Sequence, residues 1–135
     1  MRTLPLACLA LCVVACRPPR DDTPEAAYRA FAAAANKGDA TEAFSRLTSE
    51  SRQAVTREVS GLSSASGGSL REDPGALVFS AGRGQPITSV RLLKKDPDRA
   101  TVEVTAGGQT REVTLLREGT EWRVELPRKE PARAP

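Results

Sequence analysis

From residue 23 onward the spacing of apolar positions changes once, near Pro86. Before it, apolar side chains recur at intervals of three and four, the repeat of one buried helical face. After it they alternate with polar residues, the repeat of a strand with one face in a core. Thr23-Pro24-Glu25 places a capping hydroxyl, a proline and an acid at the start of an alanine-rich run that ends at Gly38. This predicts a helix over residues 24–37 with Ala27, Tyr28, Phe31 and Ala35 on its inner face. Asp39 followed by Glu42 repeats the capping signal, so Gly38-Asp39 is a tight joint into a second helix with Ala43, Phe44 and Leu47 inward. Thr48 or Ser49 caps a third helix whose Val55, Val59 and Leu62 fall at i, i+4 and i+7, and the run 63–68 (SSASGG) dissolves it. Asp73-Pro74 opens a segment through Leu77, Val78 and Phe79 that fits a short helix and, nearly as well, a strand.

Beyond Pro86 a first strand spans 87–95 and Asp96-Pro97-Asp98 turns it back. Ala100, Val102, Val104 and Ala106 then alternate with Thr101, Glu103 and Thr105. Gly107-Gly108 is a two-residue hairpin signal, because both central positions of such a turn favour positive φ. The third strand runs from Gln109 to Arg117 with Val113 and Leu115 inward, Glu118-Gly119 turns again, and Trp122, Val124 and Leu126 close a fourth. The opposite face collects Thr, Glu and Arg (Glu112, Thr114, Glu121, Arg123 and Glu125 besides those named), as a sheet with one side in water requires. The predicted architecture is an α+β domain over residues 23–126, with N-terminal helices packed on one face of a C-terminal antiparallel four-stranded meander. A polar tail at 127–135 follows.

The first sixteen residues obey neither pattern. Met1-Arg2-Thr3 carries one positive charge, and residues 4–15 (LPLACLALCVVA) carry none. A helix needs about 20 apolar residues to cross the hydrocarbon of a membrane. This run has twelve before the chain turns to Arg17-Pro18-Pro19-Arg20-Asp21-Asp22. It predicts a cleaved export signal at 1–15 and a proline-rich tether at 16–22. Cleavage leaves Cys16 as the one cysteine, so no disulfide supports the domain and its apolar core must.

Removing Arg2 lowers the formal charge from +3 to +2, and the tail alone holds Arg128, Lys129 and Arg133 against Glu130. The domain body is therefore close to neutral. No basic stripe interleaved with aromatics appears, which argues against nucleic acid as a partner. Sixteen arginines against four lysines, with abundant alanine and glycine, fit a GC-rich genome better than a binding surface.

Val13-Val14-Ala15-Cys16 resembles the lipobox of bacterial lipoproteins. The resemblance covers residues 1–16, with Val13 where leucine is commoner. It implies that the Cys16 thiol carries diacylglycerol, that the signal is cut just before it, and that the new N-terminus is acylated. The partner of such a chain is a membrane, reached through the lipid, in the bacterial cell envelope. Arg17 rather than aspartate after the cysteine favours, by the sorting rule of enteric lipoproteins, the outer membrane facing the periplasm. A second resemblance lies in TPEAAYRAFAAAANKGDATEAFSRLTSESR and in the closing Glu121-Trp122-Arg123-Val124. These are similar to the opening helical pair and last strands of the nuclear transport factor 2-like, or cystatin-like, superfamily, which includes small bacterial lipoproteins of unknown function. The lack of a clear strand between the second and third helices departs from that pattern. The superfamily includes isomerases and dehydratases whose cavities hold acid and base residues.

The chain offers little to such chemistry. It has no histidine and one tyrosine, so Tyr28 with a carboxylate such as Asp39 would have to serve, and both have simpler roles in core and cap. No Ser-His-Asp set can be assembled. Gly82-Arg83-Gly84 is too short for a phosphate loop, and Glu72-Asp73 and Asp96-Pro97-Asp98 are turn acids with too few oxygens for calcium. Cys8, Cys12 and Cys16 recur every four residues like metal ligands, but two of them precede the cut and no imidazole completes a site. The expectation is therefore a non-catalytic interaction module without metal or cofactor, binding another envelope protein. The alternative is small-molecule binding in a pocket between helices and sheet lined by Tyr28, Phe31, Phe44 and Trp122, with an enzyme the weakest of the three.

Overall fold

In a computed structural model the described residues are 22–68, 73–79 and 84–128, apart from the side chains of Leu77 and Val78. The segment 1–15 read as an export signal, Cys16 and the expected tether as far as 21, Glu72, Gly82-Arg83 and the tail from 129 lie outside them. Four helices precede four strands: α1 (Pro24–Lys37), α2 (Ala40–Ser45), α3 (Ser49–Ala65), α4 (Pro74–Phe79), β1 (Ile87–Lys95), β2 (Arg99–Ala106), β3 (Gln109–Glu118) and β4 (Glu121–Glu125). The strands form one antiparallel sheet in the order β1-β2-β3-β4. The class is α+β.

Local chemistry sets the helix ends. Thr23 Oγ1 accepts from the Ala26 N–H at 3.2 Å, Pro24 stands at the first helical position, and Gly38 closes α1 at φ 77°, where a side chain would be strained. Asp39 and Thr48 accept from Glu42 and Ser51 N–H groups to start α2 and α3. The 73–79 segment is a helix, and the tie falls that way because Asp73 Oδ1 accepts from the Ala76 N–H at 3.0 Å. Gly75 is buried where α4 crosses α2, and a Cβ there would sit 2.9 Å from the Ala40 carbonyl oxygen. Gly75→Ala is expected to cost about 1–3 kcal/mol through backbone displacement, read as a lowered melting temperature.

Ala27, Tyr28 and Phe31 of α1 share one core with Ala43 and Leu47, with Val90, Ala100, Val102 and Val104, and with Leu115, Trp122 and Val124. Three expectations change in detail. In α3 the buried row runs i, i+4 through Ser51, Val55, Val59 and Ser63, so Leu62, one step aside, is 48% exposed. Phe44 is only half-buried at the rim, whereas Ala43 and Leu47 are fully enclosed. The last turn is Gly119-Thr120, β3 extends to Glu118, and β4 stops at Glu125 with Leu126 beyond it.

The sheet edges differ from each other. On β1 the register shifts at Thr88 and Leu93, and these two bulges with Lys94 and Lys95 blunt that edge against further pairing. The outer edge of β4 is occupied by the α2–α3 connection. Leu47 makes a parallel bridge to Val124, the Thr48 N–H donates to the Val124 carbonyl at 2.9 Å, and the Val124 N–H donates to the Arg46 carbonyl at 2.9 Å. Ser51 Oγ, itself buried, accepts from the Leu126 N–H at 3.0 Å and ties the end of β4 to α3.

Candidate functional site

Alternation along β3 turns Arg111, Val113 and Leu115 toward α1, since they face Val104, Val102 and Ala100 on β2. Leu115 is enclosed, Val113 half-covered, and Arg111 reaches the open end of the core. There its Nη2 donates to the Tyr28 hydroxyl at 3.0 Å. Tyr28 is 3% exposed, so the bond satisfies the one polar atom that burying this ring brings in. Phe31 continues the wall, its ring 5.9 Å from Tyr28 and 5.7 Å, edge-on, from Phe79.

Tyr28, Phe31 and Arg111 stand between two hollows. One, of about 550 Å³, continues past Val113 and Thr114 of β3 to Leu126, Pro127 and Arg128. The other, of about 380 Å³, reaches toward Phe79, Ile87 and Ala106. Three arginines border the larger one. Arg99 lies 3.3 Å from Glu125 and Arg128 lies 2.6 Å from Glu50, whereas Arg111 has only the neutral tyrosine hydroxyl, with no carboxylate in ion-pair range among the described residues. A guanidinium bonded to a neutral oxygen keeps its charge and several N–H groups for an incoming carboxylate.

Of the four aromatic residues read as pocket-lining, Tyr28 and Phe31 border these hollows. Phe44 lines a separate depression with Ser49, Arg52 and Gln53, and Trp122 is enclosed in the core with the Arg117 guanidinium 5.8 Å over its ring. The four do not converge. Tyr28 and Asp39 are not brought together either, because the nine helical steps from Tyr28 to the end of α1 at Lys37 rise about 13 Å and Asp39, beyond the Gly38 turn, is bound to the start of α2. Among the described residues no group of His, Cys, Asp and Glu could hold a metal ion, and no helix is long and apolar enough to cross a membrane. Arg111 was the site residue to find, and its signal was present: it shares the inward parity of Val113 and Leu115.

Comparison of the chain with protein-family models, with curated proteins and with solved structures gives no match. The likenesses drawn from the sequence therefore rest on its own residues.

Proposed function

We propose that this chain is a non-catalytic interaction module of a bacterial envelope, held on the outer membrane, facing the periplasm, by acyl chains on Cys16. Its domain is cystatin-like, with the helices on the face of the meander that carries Val102, Val104 and Leu115. The observation that supports recognition over catalysis is the bond from Arg111 to the Tyr28 hydroxyl. It commits the chain's one phenol to a structural partner and leaves a cation, rather than an acid–base pair, at the mouth of the hollow. A second reading, favoured by the volume of about 550 Å³ and the Tyr28 and Phe31 walls, is that the hollow takes a small amphipathic molecule.

In a strain lacking the gene, Tyr28→Phe is expected to restore the parental phenotype in full while lowering stability by about 1 kcal/mol through the lost hydrogen bond. A folded Tyr28→Phe protein that behaves like the deletion would overturn the non-catalytic reading.

A further inference from the structure

The larger hollow runs beside a stretch of β3 that, among the described residues, has a neighbour on one side only. The β3–β4 ladder pairs Glu118 with Glu121, Leu116 with Arg123 and Thr114 with Glu125, then ends. In an antiparallel pair joined by a two-residue turn, the residues flanking the turn exchange both backbone bonds, and so does every second pair after them. The next exchanging pair would set Glu112 against residue 127. That residue is Pro127, which has no N–H to give, so the ladder stops there. The Gly107-Gly108 turn leads to the same assignment from the other side: Gln109, Arg111 and Val113 exchange bonds with β2, and Thr110 and Glu112 direct their N–H and C=O groups outward. Among the described residues nothing pairs with these groups.

The chain's own continuation is ill-suited to fill the gap. In register, Arg128 would lie opposite Arg111, cation against cation, and instead it is held 2.6 Å from Glu50 on α3. Among the described residues this edge also has neither the bulges nor the lysines that blunt β1, nor the covering connection that closes β4. We propose that the free edge of β3 at residues 110–112 takes an extended segment of a partner protein by strand addition, with an acidic side chain of that segment opposite Arg111. The backbone bonds come from Thr110 and Glu112, and the carboxylate meets the Arg111 guanidinium through the N–H groups that the bond to Tyr28 leaves open. A residue opposite Glu112, on the outer face, would be basic or a hydroxyl, since Glu112 already faces Glu103 across the sheet. The proposal rests on the interaction-module reading and specifies what such a module grips.

The test uses the mature full-length chain and three acetylated seven-residue peptides of alternating threonine and valine. One has a central glutamate, one a central lysine, and one the glutamate with alternate backbone nitrogens methylated. The glutamate peptide is expected to bind about fivefold or more tightly than the lysine peptide, from a favourable pair replacing a like-charge one, and to slow amide exchange at Thr110 and Glu112. The methylated peptide should not bind. Arg111→Glu should reverse the preference, and Glu112→Pro, which removes an outward N–H and leaves the β2 ladder intact, should abolish binding with the fold retained. Equal binding of the charged peptides, retained binding of the methylated one, or protection elsewhere on the sheet would overturn the proposal. So would tighter binding, with faster exchange at Thr110 and Glu112, in a chain ending at residue 128, since its own tail would then be the occupant. A photocrosslinker at position 112 and another at position 93, on the β1 edge, separate the two levels in cells. An adduct from 93 and none from 112 sinks the edge and spares the module; no protein adduct from either sinks both.

Discussion

On the proposed anchoring, Cys16→Ala is expected to remain unprocessed, unacylated and absent from the fraction in which the parent is held by lipid alone. The expectation follows from the arithmetic of acyl burial. Each buried methylene contributes about 0.8 kcal/mol, so one chain holds a protein reversibly and two or three hold it durably. The apolar run 4–15 has twelve residues where about 20 are needed to span hydrocarbon, so it is no substitute for the lipid. Intact mass and carbonate-resistant membrane association are the measurements. Parental mass and fractionation in Cys16→Ala would remove the anchor, and with it most of the argument for location.

Trp122→Ala is expected to be the most damaging substitution within the domain, at about 3–5 kcal/mol. The indole is 4% exposed, sits under the Arg117 guanidinium across the ladder, and with Val124 is one of two inward residues on a strand of five. Losing it frees β4 from the core before any other strand, and the Leu47–Val124 bridge loosens with it. For a domain of roughly 100 residues, where 1 kcal/mol shifts the melting point by about 4–8 °C, the drop should exceed about 12 °C. Amide exchange should accelerate first at Thr48 and Val124, whose bonds hold that edge. A small shift, or acceleration spread evenly over the sheet, would show that β4 is held by something other than its tryptophan.

How much of this was legible in the sequence follows from the range of each interaction. Thr23, Asp39 and Gly107-Gly108 act on residues two to four positions away, and the elements they begin or turn lie where composition predicts. Inner positions of β2 and β3 followed from strict alternation. Those of β1 did not, because bulges at Thr88 and Leu93 space Ile87, Val90 and Leu92 unevenly. Leu62 turned outward because the buried row of α3 ends on the small Ser63 instead. The Leu47–Val124 bridge joins segments far apart in the chain and leaves no local trace, and the same holds for Arg111 and Tyr28, which meet across 83 positions. Four aromatic residues looked like one pocket since bulk marks burial without direction. Two went to the wall of the hollows, one to the rim and one to the core.

On the proposed function this chain works by holding another protein at the membrane surface. Crosslinking the native lipidated protein in its intact envelope, and identifying what is attached, tests it most directly. One protein species is expected, joined in high yield through the β3 end of the domain and lost in Cys16→Ala. Adducts only to lipid or to copies of the chain itself, in cells where its function is intact, would contradict it.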